Sequence, residues 1–220
     1  MATQQPNLIT LTDPDSPASE AFRTLRTNLE FVALSRDLQA IVVTAPALEE
    51  AKSTTVANLG VTCAQSGRSV IIVDADMRRP RQQEIFGLND GPGLSNALLS
   101  GEGAQAPPLR ETGIRGLRLL TAGMRPPNPA ELLISTAMST LVEKLRQQAE
   151  VILFDTPPVV PVTDGALLGA RVDGVLLVIQ AGKTTREHAA RARTLLDQVG
   201  ATIIGTALTN AKVDRPLTGY

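Results

Sequence analysis

Val70 to Asp74 reads VIIVD, four branched apolar residues in a row closed by an acid. A run with no polar face must be covered on both sides if it forms a strand, as in a parallel sheet. Other apolar stretches that read as strands lie at about 39–44, 117–121, 151–155, 174–179 and 202–208. Between them lie helical stretches at about 52–65, 128–148, 163–170 and 185–199. Alternation of this kind specifies the α/β class: a doubly wound, mostly parallel sheet flanked by helices. A ligand site is then expected at the carboxyl ends of the strands.

The 220 residues suit one such domain. Residues 1–15 are polar and without periodicity, and are read as a flexible tail. The domain runs over 16–210, and 211–220 form a C-terminal tail with the single tyrosine, Tyr220. Ser16 and Pro17 make a helix start, as N-cap and first helical residue. Phe22, Leu25, Leu29 and Val32 line one face of that helix. Glu20, Arg23 and Arg26 line the other, which spacing alone reads as a solvated charged face. Residues 77–115 read as loops with a short helix near 95–99, and 101–116 are rich in Gly and Pro. Asn128 and Glu131 form a capping box around Pro129, ahead of a helix to about Gln148.

A net charge of −1 supplies no bulk attraction to nucleic acid, and 2% aromatic residues make a poor base-stacking surface. No nucleic-acid partner is expected. One cysteine, Cys63, and one histidine, His188, cannot build a His/Cys zinc site, and a His-dependent triad is disfavoured too. Cys63 reads as buried filler and His188 as a solvated residue. The polar N-terminus lacks the apolar segment of a secretory signal, and no apolar run approaches a membrane span. The expectation is a cytoplasmic protein.

The stretch Val42 to Asn58 has the strand–loop–helix context of a phosphate-binding loop. Lys52 followed by Ser53 is the pair such loops use, the amine for terminal phosphates and the hydroxyl for Mg²⁺. The loop is not Gly-rich, since Glu49 and Ala51 stand where glycines are expected. Asp155, after four apolar residues, is placed like the Mg²⁺-binding acid of such proteins. Asp74 and Asp76 sit two apart at a strand end, where one acid holds a metal and the other takes a hydroxyl proton.

These motifs together resemble the bacterial protein-tyrosine kinases (BY-kinases) of capsule and exopolysaccharide export, with a degenerate Walker A loop. The likeness runs from about Ser16 to Asn210. It rests on Glu20-x-x-Arg23-x-x-Arg26, the Lys52-Ser53-Thr54-Thr55 loop end, IIVDADMRRP at 71–80, PPNPAELL at 126–133 and ILFDTPP at 152–158. The resemblance implies a P-loop NTPase-like fold and an ATP- and Mg²⁺-dependent tyrosine autokinase regulating polysaccharide polymerisation and export. It implies that Lys52, Ser53, Thr54 and Asp155 bind the nucleotide, and that Ser53, Asp76 and Asp155 bind the metal. It gives Lys52, Asp74 and Asp76 catalytic roles, with Asp74 as candidate base. It makes Glu20, Arg23 and Arg26 a subunit contact in a ring-like homo-oligomer, and Tyr220 the phosphoacceptor entering a neighbour's site. A separate membrane-spanning activator, a polysaccharide co-polymerase, is the implied partner, holding the protein at the inner face of the membrane. Two departures from the family pattern, the loop without glycines and the single tail tyrosine, imply nucleotide binding that is weakened or lost. The alternative is a pseudokinase scaffold acting by oligomerisation and partner docking.

Overall fold

The computed structural model describes residues 6–48, 51–100 and 106–211. The elements are α1 (Ile9–Thr12), α2 (Pro17–Ala33), β1 (Ala40–Thr44), α3 (Lys52–Gln65), β2 (Val70–Asp74), α4 (Gln82–Ile85), α5 (Leu94–Leu99), β3 (Arg110–Glu111), β4 (Leu117–Leu120), α6 (Pro129–Leu133), α7 (Thr136–Arg146), β5 (Val151–Asp155), α8 (Asp164–Gly169), β6 (Gly174–Gln180), α9 (Arg186–Gln198) and β7 (Ile203–Thr209). The strands form one sheet in the order β3-β4-β2-β5-β1-β6-β7. All pairs are parallel except β3 with β4. Strands β1 and β2 are buried at every position, as their unbroken apolar runs require. Two apolar clusters lie on opposite faces of the sheet, one under α5 to α9 and one under α2 and α3.

Helix α3 is enclosed almost all round. It lies between the sheet and an outer layer made by α1 and α2, so residues Val56 to Ala64 are all buried. Gly60 permits this close approach, because a Cβ there would stand 2.7 Å from Ile72 Cδ1. Helix α2 starts as its sequence predicts: Ser16 Oγ accepts from Ser19 N at 3.2 Å, and Pro17 opens the helix. Only Leu29 of its apolar face is fully buried, while Phe31 and Leu34 stand exposed.

The structure departs from the sequence reading at four places. Residues 6–15, read as tail, are packed against the domain. Leu8 is 1% exposed, and the Thr10 amide and hydroxyl both donate to Asn58 Oδ1, at 3.2 and 2.9 Å. A short polar sequence hides this anchoring, since one leucine and one threonine have no period. The single helix expected after Asn128 is two. Ser135 Oγ accepts from Met138 N at 3.2 Å and restarts the chain as α7, which lets Leu133 and Met138 both enter the core. Asn128 does not cap; its side-chain amide donates to Glu131 Oε1 at 3.2 Å. The stretch 77–115 holds a helix and an antiparallel edge strand, α4 and β3, too short to leave a pattern. The expectations for residues 1–5, Glu49, Glu50, 101–105 and the tail from 212 to Tyr220 fall outside the described residues. Among the described residues no helix is long and apolar enough to cross a membrane.

Replacing Asn58 by Ala leaves the buried Thr10 amide unpaired. We expect a loss of about 1–3 kcal/mol in urea unfolding, with faster amide exchange over 8–13.

Candidate active site

Strand order places the three acids. β5 lies between β2 and β1, and Asp74 sits opposite Asp155 in the parallel register. Asp155 is also level with Val43 on β1, whose chain leads through the loop to Lys52. Topology thus brings the ends of β1, β2 and β5 to one place. Lys52, first residue of α3, turns its amine back over these ends. Its Nζ donates to Asp155 Oδ1 in a short, buried ion pair. It stands 3.7 Å from Asp76 Oδ2 and 3.3 Å from Ser53 Oγ.

The turn ahead of Lys52 is made by Ala51, which has φ 57° and ψ 20°. This is left-handed backbone, the conformation that favours glycine at such a position. It costs a residue with a Cβ about 1–2 kcal/mol, so the fold adopts the turn under strain. The sequence reading linked the loss of glycines to weaker nucleotide binding. The conformation is instead a property of the fold, and the strain falls on stability. Among the described residues no side chain caps the start of helix α3, and free amides at a helix start suit an anion. A cleft of about 270 Å³ opens there, lined in part by Ala51, Lys52, Ser53, Thr54, Asp76, Arg79 and Arg81.

No family model matches the chain. It is 38% identical over 211 residues to the tyrosine-protein kinase YwqD of Bacillus subtilis, an alignment covering 96% of this chain and 89% of the relative. The chain belongs to the bacterial tyrosine-protein kinases. The kinase domain of the Escherichia coli tyrosine kinase ETK superposes with a TM-score of 0.90 at 30% identity, covering 100% of this chain and 86% of the other. At the level of the fold alone, the septum site-determining protein MinD of Pyrococcus horikoshii matches with a TM-score of 0.63 at 17% identity. The fold is that of the P-loop NTPases.

Within this tyrosine-kinase domain the predicted site residues divide into three groups. Lys52, Ser53, Asp74, Asp76 and Asp155 are brought together, and Thr54 joins them at the rim of the cleft. Asp74 stands behind the others. It is fully buried, and its Oδ2 accepts from the Arg81 and Gln82 amides at 3.0 and 2.9 Å. Its Oδ1 has no hydrogen-bond partner among the described residues. Glu20, Arg23 and Arg26 lie apart, on α2. Arg23 pairs with Glu20 at 2.8 Å and Arg26 with Glu30 at 3.7 Å, so no ion pair reaches the cleft. Tyr220 and Glu49 fall outside the described residues.

Three features escaped the sequence reading. Gln82, on α4, donates its side-chain amide to Asp155 Oδ2 at 2.7 Å and to Ser53 O at 2.9 Å. Arg78 makes a two-pronged contact with buried Asp164 at 2.8 and 3.0 Å, tying the loop after β2 to α8. Arg79 and Arg81 line the cleft. The doublet Arg78-Arg79 was visible as part of a motif, but neither its partner nor Gln82 leaves any signal in one dimension.

Burial raises both strand-end acids. Asp74 is pushed well above the ordinary carboxylate value by desolvation and then by the charge of Asp155. Asp76 is raised by desolvation, against the pull of Lys52. The residues present fit a magnesium nucleotide: a cation, a hydroxyl, uncapped helix amides, acids at strand ends and a turn of the required hand. Cys63, by contrast, is buried filler, its thiol pushed up to about 12 by burial.

A carboxyl raised in the folded state binds its proton more tightly there than in the unfolded chain. Its contribution to stability is present below the unfolded value of about 3.9 and is lost as pH rises through the folded value. Asp74→Asn keeps an acceptor for the two amides and removes the charge. We expect it to raise the melting temperature at pH 7 by about 2–4 °C for each kcal/mol released. The gain should shrink towards pH 4 in a calorimetric series. Ala51→Gly should stabilise the fold by about 1 kcal/mol in denaturant unfolding.

Proposed function

We propose that this chain is an ATP- and Mg²⁺-dependent tyrosine kinase domain of a capsule or exopolysaccharide system, with weakened nucleotide affinity. The observation that carries this reading is the left-handed turn at Ala51, which keeps Lys52 and the start of α3 wrapped around the cleft without the expected glycines. When bound, ATP–Mg²⁺ supplies the phosphoryl group and the metal's charge. Lys52 would turn from Asp155 to the terminal phosphates, and Ser53, Asp76 and Asp155 would hold the metal, with Thr54 at the phosphates. Asp76 faces the cleft and Asp74 stands behind it. Burial raises both carboxyls above the ordinary range, which strengthens them as proton acceptors.

In the transfer, the phenol oxygen of Tyr220 from a neighbouring copy forms a bond to the γ-phosphorus. The bond from that phosphorus to the ADP oxygen breaks, and the phenol proton passes to the acid pair. Glu20, Arg23 and Arg26 place the copies in a ring-like homo-oligomer, and a separate membrane-spanning activator recruits it to the inner face of the membrane. The domain is read as 16–210, extended by the packed residues 6–15, with a C-terminal tail.

The loss of affinity comes from Glu49. A carboxylate about 5 Å from a phosphate charge adds roughly 3 kcal/mol of repulsion at an effective dielectric near 20, about a hundredfold in affinity. A scaffold reading is favoured by one observation: the amine of Lys52 is already satisfied by Asp155, Asp76 and Ser53. Calorimetric titration with ATP–Mg²⁺ separates the two. Saturable micromolar binding supports the kinase, and no binding at millimolar nucleotide supports the scaffold. Glu49→Gly should tighten ATP–Mg²⁺ by up to about a hundredfold, and less at high salt. Ala51→Gly should change affinity far less than it changes stability.

A further inference from the structure

Gln82 is fully buried, yet no step above uses it. It lies two residues past the motif at 71–80. Its backbone amide donates to Asp74 Oδ2 at 2.9 Å. Its side-chain nitrogen donates to Ser53 O at 2.9 Å and to Asp155 Oδ2 at 2.7 Å. One residue therefore joins β2, β5 and the first turn of α3. The orientation of the amide is forced, because the reverse flip would set its oxygen against two acceptors. Its Oε1 is left buried with no hydrogen-bond partner among the described residues. A fold that tolerates this orphan is using the two donors.

Resting on the nucleotide reading above, we propose that Gln82 is a positioning residue for the metal-binding acid, fixing which oxygen of Asp155 faces Mg²⁺. The two oxygens of Asp155 have different partners, Lys52 on Oδ1 and Gln82 on Oδ2. When Lys52 turns to a phosphate, Oδ1 is released. Oδ2 stays held, so the carboxylate cannot rotate after the departing amine. The bond to Ser53 O holds the start of α3 at the same time, which sets the distance between the Ser53 hydroxyl and Asp155. Partners of metal-binding carboxylates act in this way, and removing them costs about 10–100-fold in metal affinity.

The test is ADP titration by calorimetry, with and without Mg²⁺, in protein carrying Glu49→Gly so that binding is strong enough to measure. Gln82→Met keeps the volume and removes both donors. It is expected to cut the enhancement by Mg²⁺ about 10–100-fold, with a much smaller change in metal-free ADP affinity. Gln82→Asn keeps the amide but draws it back by one carbon, and should lower the same ratio if Gln82→Met fails to fold. Equal losses with and without Mg²⁺, or no loss, overturn the proposal. If the restored loop with Gln82 intact shows no Mg²⁺ enhancement, the nucleotide reading fails and this role falls with it.

Discussion

One amine neutralises a nest of acids, and the end of the sheet depends on it. Lys52 is 8% exposed, and beside it lie Asp74 and Asp155 at 0% and Asp76 at 6%. Three carboxyls so close together in a dry place repel one another. The fold answers with the Lys52 ion pair, with backbone amides on Asp74 and Asp76, and with the Gln82 amide on Asp155. Removing one partner of a buried pair commonly costs about 3–5 kcal/mol, because the other charge is left without compensation. Burial, more than charge, is what leaves two of the acids raised above the ordinary range. A cation placed among these acids would relieve their mutual repulsion.

Local conflict and global consistency meet at Ala51. Sequence rules disfavour a Cβ at a left-handed turn. The surrounding structure nevertheless dictates that turn: β1 fixes the entry, and α3, buried along most of its length, fixes the exit. A strain of about 1–2 kcal/mol is small against the burial of a whole helix. The alanine in the loop therefore burdens folding.

The loop after β5 shows how tightly the neighbouring elements are set. Gly165, next to Asp164, has no room for a Cβ, which would stand 2.8 Å from Thr156 Oγ1 and 3.0 Å from Thr44 Oγ1. Arg78 clasps Asp164 from the far side. The loops carrying Asp76 and Asp155 are therefore joined by α8 as well as by the sheet. Arg78–Asp164 and Gln82 are two independent fastenings of one acid cluster.

Strand runs such as VIIVD and VILFD, the spacing of the helices between them and the Lys52-Ser53 pair after the first strand are local patterns, and they determined the sheet and its winding and pointed to the residues that meet at the strand ends. Burial on both faces and helical period act over a few residues, so a one-dimensional string records them. The packing of 6–15 through Leu8 and Thr10, the break at Ser135, the hand of Ala51, and the convergence of Gln82 and Arg78 on the acids were decided only in three dimensions. The contacts of Thr10 with Asn58, Gln82 with Asp155 and Arg78 with Asp164 join residues tens of positions apart, and separation along the chain carries no trace of such meetings.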